Sequence, residues 1–149
     1  MNLNTLTDAI ADEVLDDSTL DTWATTTFSA SVTAYQWVDN ENPPGPEACP
    51  YVAVQPTGAV YADNLDSDLP LKPHYVLLQL AIKDESPATE ADHKVELPGG
   101  ENLVVFVNHV KRILSDRTFL AGIGSGIKMV DFEVEIDPLE HYPMYLATI

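Results

Sequence analysis

Tyr75-Val76-Leu77-Leu78-Gln79-Leu80-Ala81-Ile82 is the most apolar run of the chain. It is a short run with a single polar member, apolar on nearly both faces, and it reads as a strand buried in the middle of a sheet. Upstream, Tyr51 to Gln55 reads as a second short apolar strand, stopped by Pro56-Thr57-Gly58. Downstream, Leu103, Phe106, Val107, Val110, Ile113 and Leu114 make one stripe of a helix expected from about Glu101 to Ser115. Glu101 falls in its first turn and Lys111 and Arg112 in its last turns, where the helix dipole favours each sign. Such a helix lies across the sheet.

Further out, Leu3, Leu6, Ile10 and Val14 recur at helical spacing, with Asp8, Asp12, Glu13, Asp16 and Asp17 mostly on the other face. Leu20 and Trp23 add a short turn, and the Thr, Phe, Val, Tyr and Trp of Thr25–Val38 predict a strand. Residues 39–47 hold three prolines and a glycine and read as a loop, as does polar Asp84–His93. Residues 59–73 carry no clear pattern, and Pro98-Gly99-Gly100 marks a break. Gly122-Ile123-Gly124-Ser125-Gly126 reads as a tight turn. A strictly alternating strand follows it, with Val130, Phe132, Val134 and Ile136 on one face and Asp131, Glu133, Glu135 and Asp137 on the other. Pro138 closes it, and Met144 to Ile149 is a last strand. The order predicts an α+β fold: an antiparallel or mixed β-sheet flanked by an N-terminal helix and a long central helix.

At 149 residues the chain, 1–149, is expected to be a single domain. With 45% apolar residues it supplies a core without help from disulfides or metals. Its 24 acidic and 7 basic residues give a net charge of −17, which speaks against gripping nucleic acid or an anionic membrane, because both rest on Lys and Arg. The excess is uneven. Residues 1–71 hold twelve carboxylates and no Lys or Arg, whereas residues 72–149 hold twelve carboxylates and all seven cations. The N-terminal residues lack a cationic stretch followed by an apolar one, so no signal peptide is expected, and no segment is apolar for the length of a bilayer. The lone Cys49 fits synthesis in a reducing cytoplasm.

Catalytic and cofactor chemistry finds little to stand on. Cys49 has no neighbouring base and reads as a small hydrophobe. Asn64, Asp66 and Asp68 open like a calcium loop, but Leu69 stands where glycine is needed and no Glu completes it. His74, His93, His109 and His141 show no zinc spacing. The glycines at 122–126 follow a helix and open a strand, the reverse of a phosphate loop, and Ser125 is in no nucleophile elbow. No enzyme activity, metal or cofactor is expected. The one conspicuous constellation is Asp131, Glu133, Glu135 and Asp137, carboxylates two apart along a strand and so about 6.5–7 Å from one another on one face. That row suits a solvated or channel-facing surface.

The acidic N-terminal helix, the loop Asn42-Pro43-Pro44 leading into Cys49-Pro50-Tyr51-Val52, the strand at 75–83, the helix at 101–115 and the closing strands resemble the tail terminator proteins of long-tailed bacteriophages. The resemblance implies a small α+β virion protein, made in the host cytoplasm, forming a homohexameric ring at the head-proximal end of the tail tube. Such a ring ends tube polymerisation and joins the tail to the head. Its partners would be its own copies, the tail tube protein and a neck or head-completion protein. Genomic DNA would pass through without specific binding. Asp131, Glu133, Glu135 and Asp137, or the acidic first helix, are then candidates for the channel face, repelling phosphates. The loops 39–49, 57–73 and 84–98 become candidate contacts with tube and neck. The alternatives are another phage neck or head-completion protein, or an acidic DNA-mimic inhibitor whose carboxylates imitate a phosphate backbone.

Overall fold

The computed structural model describes residues 3–38, 41–59, 74–92, 94–123, 132–137 and 143–149. Helix α1 spans Leu3–Asp16 and α2 spans Ser18–Phe28, with Asp17 as the hinge between them. The extended backbone of Asp17 lets its Oδ1 accept the Leu20 amide at 2.7 Å, so one residue ends α1 and caps α2. Ser29, in the left-handed region at φ 56°, closes α2. Strand β1 (Thr33–Gln36), a 3-10 turn (Pro46–Ala48), β2 (Tyr51–Ala59) and β3 (His74–Lys83) follow. A small hairpin, β4 (Thr89–Ala91) and β5 (Lys94–Glu96), leads into α3 (Pro98–Leu114) and α4 (Arg117–Ile123). The last strands are β6 (Glu135–Asp137) and β7 (Met144–Thr148).

The main sheet has the order β1-β2-β3-β7-β6. β1 runs parallel to β2 and every other pair is antiparallel, so the fold is α+β with a mixed sheet. The stretch Tyr75–Ile82 holds the central place expected of it. Leu78, Leu80 and Ile82 turn to one side and, with Val52, Val54, Tyr145 and Ala147, meet the helices; Phe106, Leu103 and Val110 of α3 and Ile10 and Val14 of α1 are buried against them. α1 lies over β1 and β2, α3 over β3 and β7. The other side of the sheet has its own small cluster, Tyr51, Ala53 and Ala81, joined by Tyr35, Val38, Ala48 of the 3-10 turn, Cys49, Met144 and Leu146, with no α-helix residue among them.

Besides the loop expected at Asp84–His93, which holds strand β4 at Thr89–Ala91, four expectations need correction. Residues 25–28 are helical, not extended, and β1 is only four residues long. The threonines of α2 return their hydroxyls to the helix, Thr22 to the Ser18 carbonyl at 2.7 Å and Thr25 to that of Asp21 at 2.8 Å. Trp23 and Phe28 meet edge to face at 5.3 Å, so tertiary packing overrides strand propensity. Second, β2 does not stop at Pro56. It runs on to Ala59, with its register shifting between Pro56 and Gly58, where a missing amide is absorbed as an irregularity. Third, Pro98-Gly99-Gly100 is the first turn of α3, since proline at the first position of a helix loses no bond. Finally, Gly122 and Ile123 end α4 instead of forming a turn, and the alternating strand shrinks to Glu135–Asp137. Gly124–Gly126, Val130 and Asp131 lie outside the described residues.

Candidate functional site

The acidic row is built on the outermost strand. β6 pairs with β7 in the register Glu135↔Thr148, Ile136↔Ala147 and Asp137↔Leu146. Paired residues share a face, so Glu135 and Asp137 lie on the side of the sheet that no described helix covers, in line with Thr148 and Leu146. Glu133 is exposed in the irregular segment just before the strand. Of the four expected carboxylates, the structure thus joins Glu135 and Asp137 on one face, puts Glu133 beside them in sequence, and leaves Asp131 outside the described residues.

The apolar partners of the row split. Phe132 and Val134 pack at the margin of the main core, with the Lys111 ammonium 5.6 Å from the Phe132 ring centre. Ile136 is 45% exposed. Its face is the helix side of the sheet, and among the described residues the packing of α1 and α3 on the sheet is concentrated on the four other strands.

A second acidic surface lies on α1, where Asp8, Asp12 and Asp16 recur at every fourth residue and are exposed. Beside it the fold supplies what the first half of the sequence lacks. Arg112 of α3 reaches Asp17 at 2.7 Å. Burial raises the Asp17 carboxyl pKa, but the Arg112 hydrogen bond and the Leu20 amide outweigh it and hold the group below the usual carboxylate value. His109, one helical turn before, sits 5.5 Å from Trp23, ring centre to ring centre. Burial, then the nearby Arg112 charge, lower its pKa, against the pull of Asp17. His109 and Trp23 border a shallow groove of about 450 Å³ together with Thr19, Thr22 and Thr26. Sequence patterning missed this junction. Its only signal was Asp17 standing before Ser18-Thr19-Leu20, an Asx cap in front of a helix.

Burial, then the neighbouring Glu47 charge, push the Cys49 thiol up to about 11, opposite to what a nucleophile needs. Among the described residues no group of three or more His, Cys, Asp or Glu could hold a metal ion. The calcium-like Asn64, Asp66 and Asp68 lie outside them, as do His93 and His141. Within the described residues, no helix is long and apolar enough to cross a membrane. Of the expected contact loops, 84–98 contains the exposed β4 hairpin strand and 39–49 the 3-10 turn, while most of 57–73 is not described. No known family model matches the chain, and no curated protein matches it.

Proposed function

We propose that this chain is a structural virion protein that assembles into a hexameric ring at the head-proximal end of a phage tail tube, ends tube growth and offers the surface for head joining. One observation supports the reading most directly: a mixed sheet whose described α-helices all pack on one side, while the other side carries Glu135 and Asp137. A subunit of that form suits the wall of a channel, helices outward and carboxylates inward. The lumen then repels the phosphates of passing DNA. The chain acts without catalysis or cofactor in this reading, and its partners are its own copies, the tube protein and a neck protein.

The test is to neutralise Asp131, Glu133, Glu135 and Asp137 together to Asn or Gln. Rings should still assemble, while DNA ejection, scored as infectivity, should fall. Unchanged infectivity removes these residues from the lumen.

The row Asp8, Asp12 and Asp16 favours a second reading, an acidic DNA mimic. Residues four apart on a helix are about 6 Å apart along its axis, so the row strings its carboxylates in a line along one face, as a phosphate strand strings its charges. A mimic acts as a monomer bound to a basic DNA-handling protein, so molecular mass separates the two readings.

A further inference from the structure

The two edges of the main sheet differ in a way that lets one copy continue the sheet of the next. On β1, the amides of Thr33 and Trp37 bond the carbonyls of Pro50 and Val54 at 3.0 and 3.3 Å. The alternation of a strand then turns the backbone N–H and C=O groups of Ala34 and Gln36 away from β2, toward the outside of the sheet. Between β3 and the end of the chain after β7, Leu78 and Ile149 exchange two hydrogen bonds of 2.9 Å. Ile149, Ala147 and Tyr145 therefore face β3, and Leu146 and Thr148 face β6. Their partners Asp137 and Glu135 bond inward, and the N–H and C=O of Ile136 point outward. Among the described residues no strand lies beyond β1 or β6.

Following the pairings across the sheet, β6 runs opposite to β1. If the sheet continues from one copy into the next, β6 of the first meets β1 of the second antiparallel, the better-bonded arrangement. We propose that these edges pair head to tail between copies of this chain, a heterologous contact that closes into a ring. The proposal rests on the ring reading above and names its seam.

Three features select this occupant over others. The edge Val32–Trp37 carries no charge and no proline, the usual guards of an open edge. In a chain of net charge −17, it is a surface that an acidic neighbour approaches without repulsion. Pairing β6 with another β6 instead sets Glu135 and Asp137 against their own copies. Finally, Ile136 is exposed on the helix side of the sheet, and the β1 end of a second copy, roofed by its own α1, brings a helix layer over it.

The experiment uses the full chain with Cys49→Ser, Ala34→Cys and Ile136→Cys together, treated with a bismaleimide that bridges only direct or diagonal cross-strand neighbours, about 8 Å. The expected result is a ladder of covalent species ending at the ring, with no ladder from either single cysteine. A parallel variant, Ile136→Pro, removes an outward amide and no bond within the sheet. It should lose the ring mass in light scattering and keep the far-ultraviolet circular dichroism of the parent, whereas Ile136→Val keeps both. Intact rings without a ladder, or rings that survive Ile136→Pro with its spectrum unchanged, overturn the seam and leave the ring reading standing. A dimer from Ala34→Cys alone shows β1 pairing with itself and overturns the seam too. A parent chain monomeric under every condition, with tail tubes present, overturns both.

Discussion

Asp17 concentrates three duties in one carboxylate: it ends α1, caps α2 and anchors Arg112 of α3. Asp17→Ala removes cap and ion pair and is expected to cost about 1–2 kcal/mol in denaturant unfolding, whereas Asp17→Asn keeps the cap and costs less. The same group contributes to the acid limb of stability, together with Asp84 and Asp116, whose carboxyls also lie below their usual value. Its folded pKa lies below the ordinary 3.8, so its contribution is complete above that value and is lost as pH falls beneath it. His109, also lowered, from an ordinary 6.5, adds an earlier loss: folding keeps it neutral where the unfolded chain takes a proton, so stability declines as pH drops below about 6.5. Thermal melts from pH 8 to pH 2 should therefore fall in two stages. His109→Gln should flatten the upper stage, and Asp17→Asn should shrink the lower one, to which Asp84 and Asp116 also contribute. A parent curve that is flat from pH 7 to pH 5 contradicts the His109 assignment. Gly99 makes a different demand. A Cβ there would fall within the buried ring of Tyr145, so Gly99→Ala should destabilise by about 1–3 kcal/mol although alanine favours helices.

Elements built on long-range burial were legible, and those set by neighbours were not. Leu78, Leu80 and Ile82 alternate with residues that are also half-buried or buried, so the centre of the sheet was written into Tyr75–Ile82 itself. The stripe of α3 was equally plain, and truncating its centre, Phe106→Ala, or the centre of β3, Leu80→Ala, should cost about 3–5 and 2–5 kcal/mol in unfolding. α2 was misread because its Thr, Phe and Trp content favours strands in isolation. Asp17 as cap and the packing of Trp23 on Phe106 at 5.5 Å decide for the helix, and neither shows in periodicity. The strand of β6 was overdrawn for the converse reason: alternation at 132–137 reports which side chains face the core, not how many residues find a pairing partner. Of the acidic site, alternation identified the common face of Glu135 and Asp137. That this face is the helix-free side depends on strand order, which no local pattern encodes.

The net charge of −17 is partly compensated within the fold. Arg112, Lys83 and Lys94 are each held by a carboxylate of the same chain, at Asp17, Glu85 and Glu96. The chain still carries its excess of 24 acidic over 7 basic residues, with Asp8, Asp12, Asp16 and Glu135 exposed, and the proposed ring of six copies would multiply the −17 of each chain. Assembly is expected to weaken at low ionic strength, where the screening length grows from about 8 Å at 0.15 M to about 30 Å at 0.01 M. Larger assemblies at 0.01 M than at 0.15 M, in sedimentation velocity, count against that electrostatic picture.

The most direct test of the ring is the light-scattering mass of the purified chain at 0.15 M salt, alone and with tail tubes. The expected mass is six times 16.3 kDa, about 98 kDa, either free or on addition of tube ends. A mass of 16.3 kDa under both conditions contradicts it.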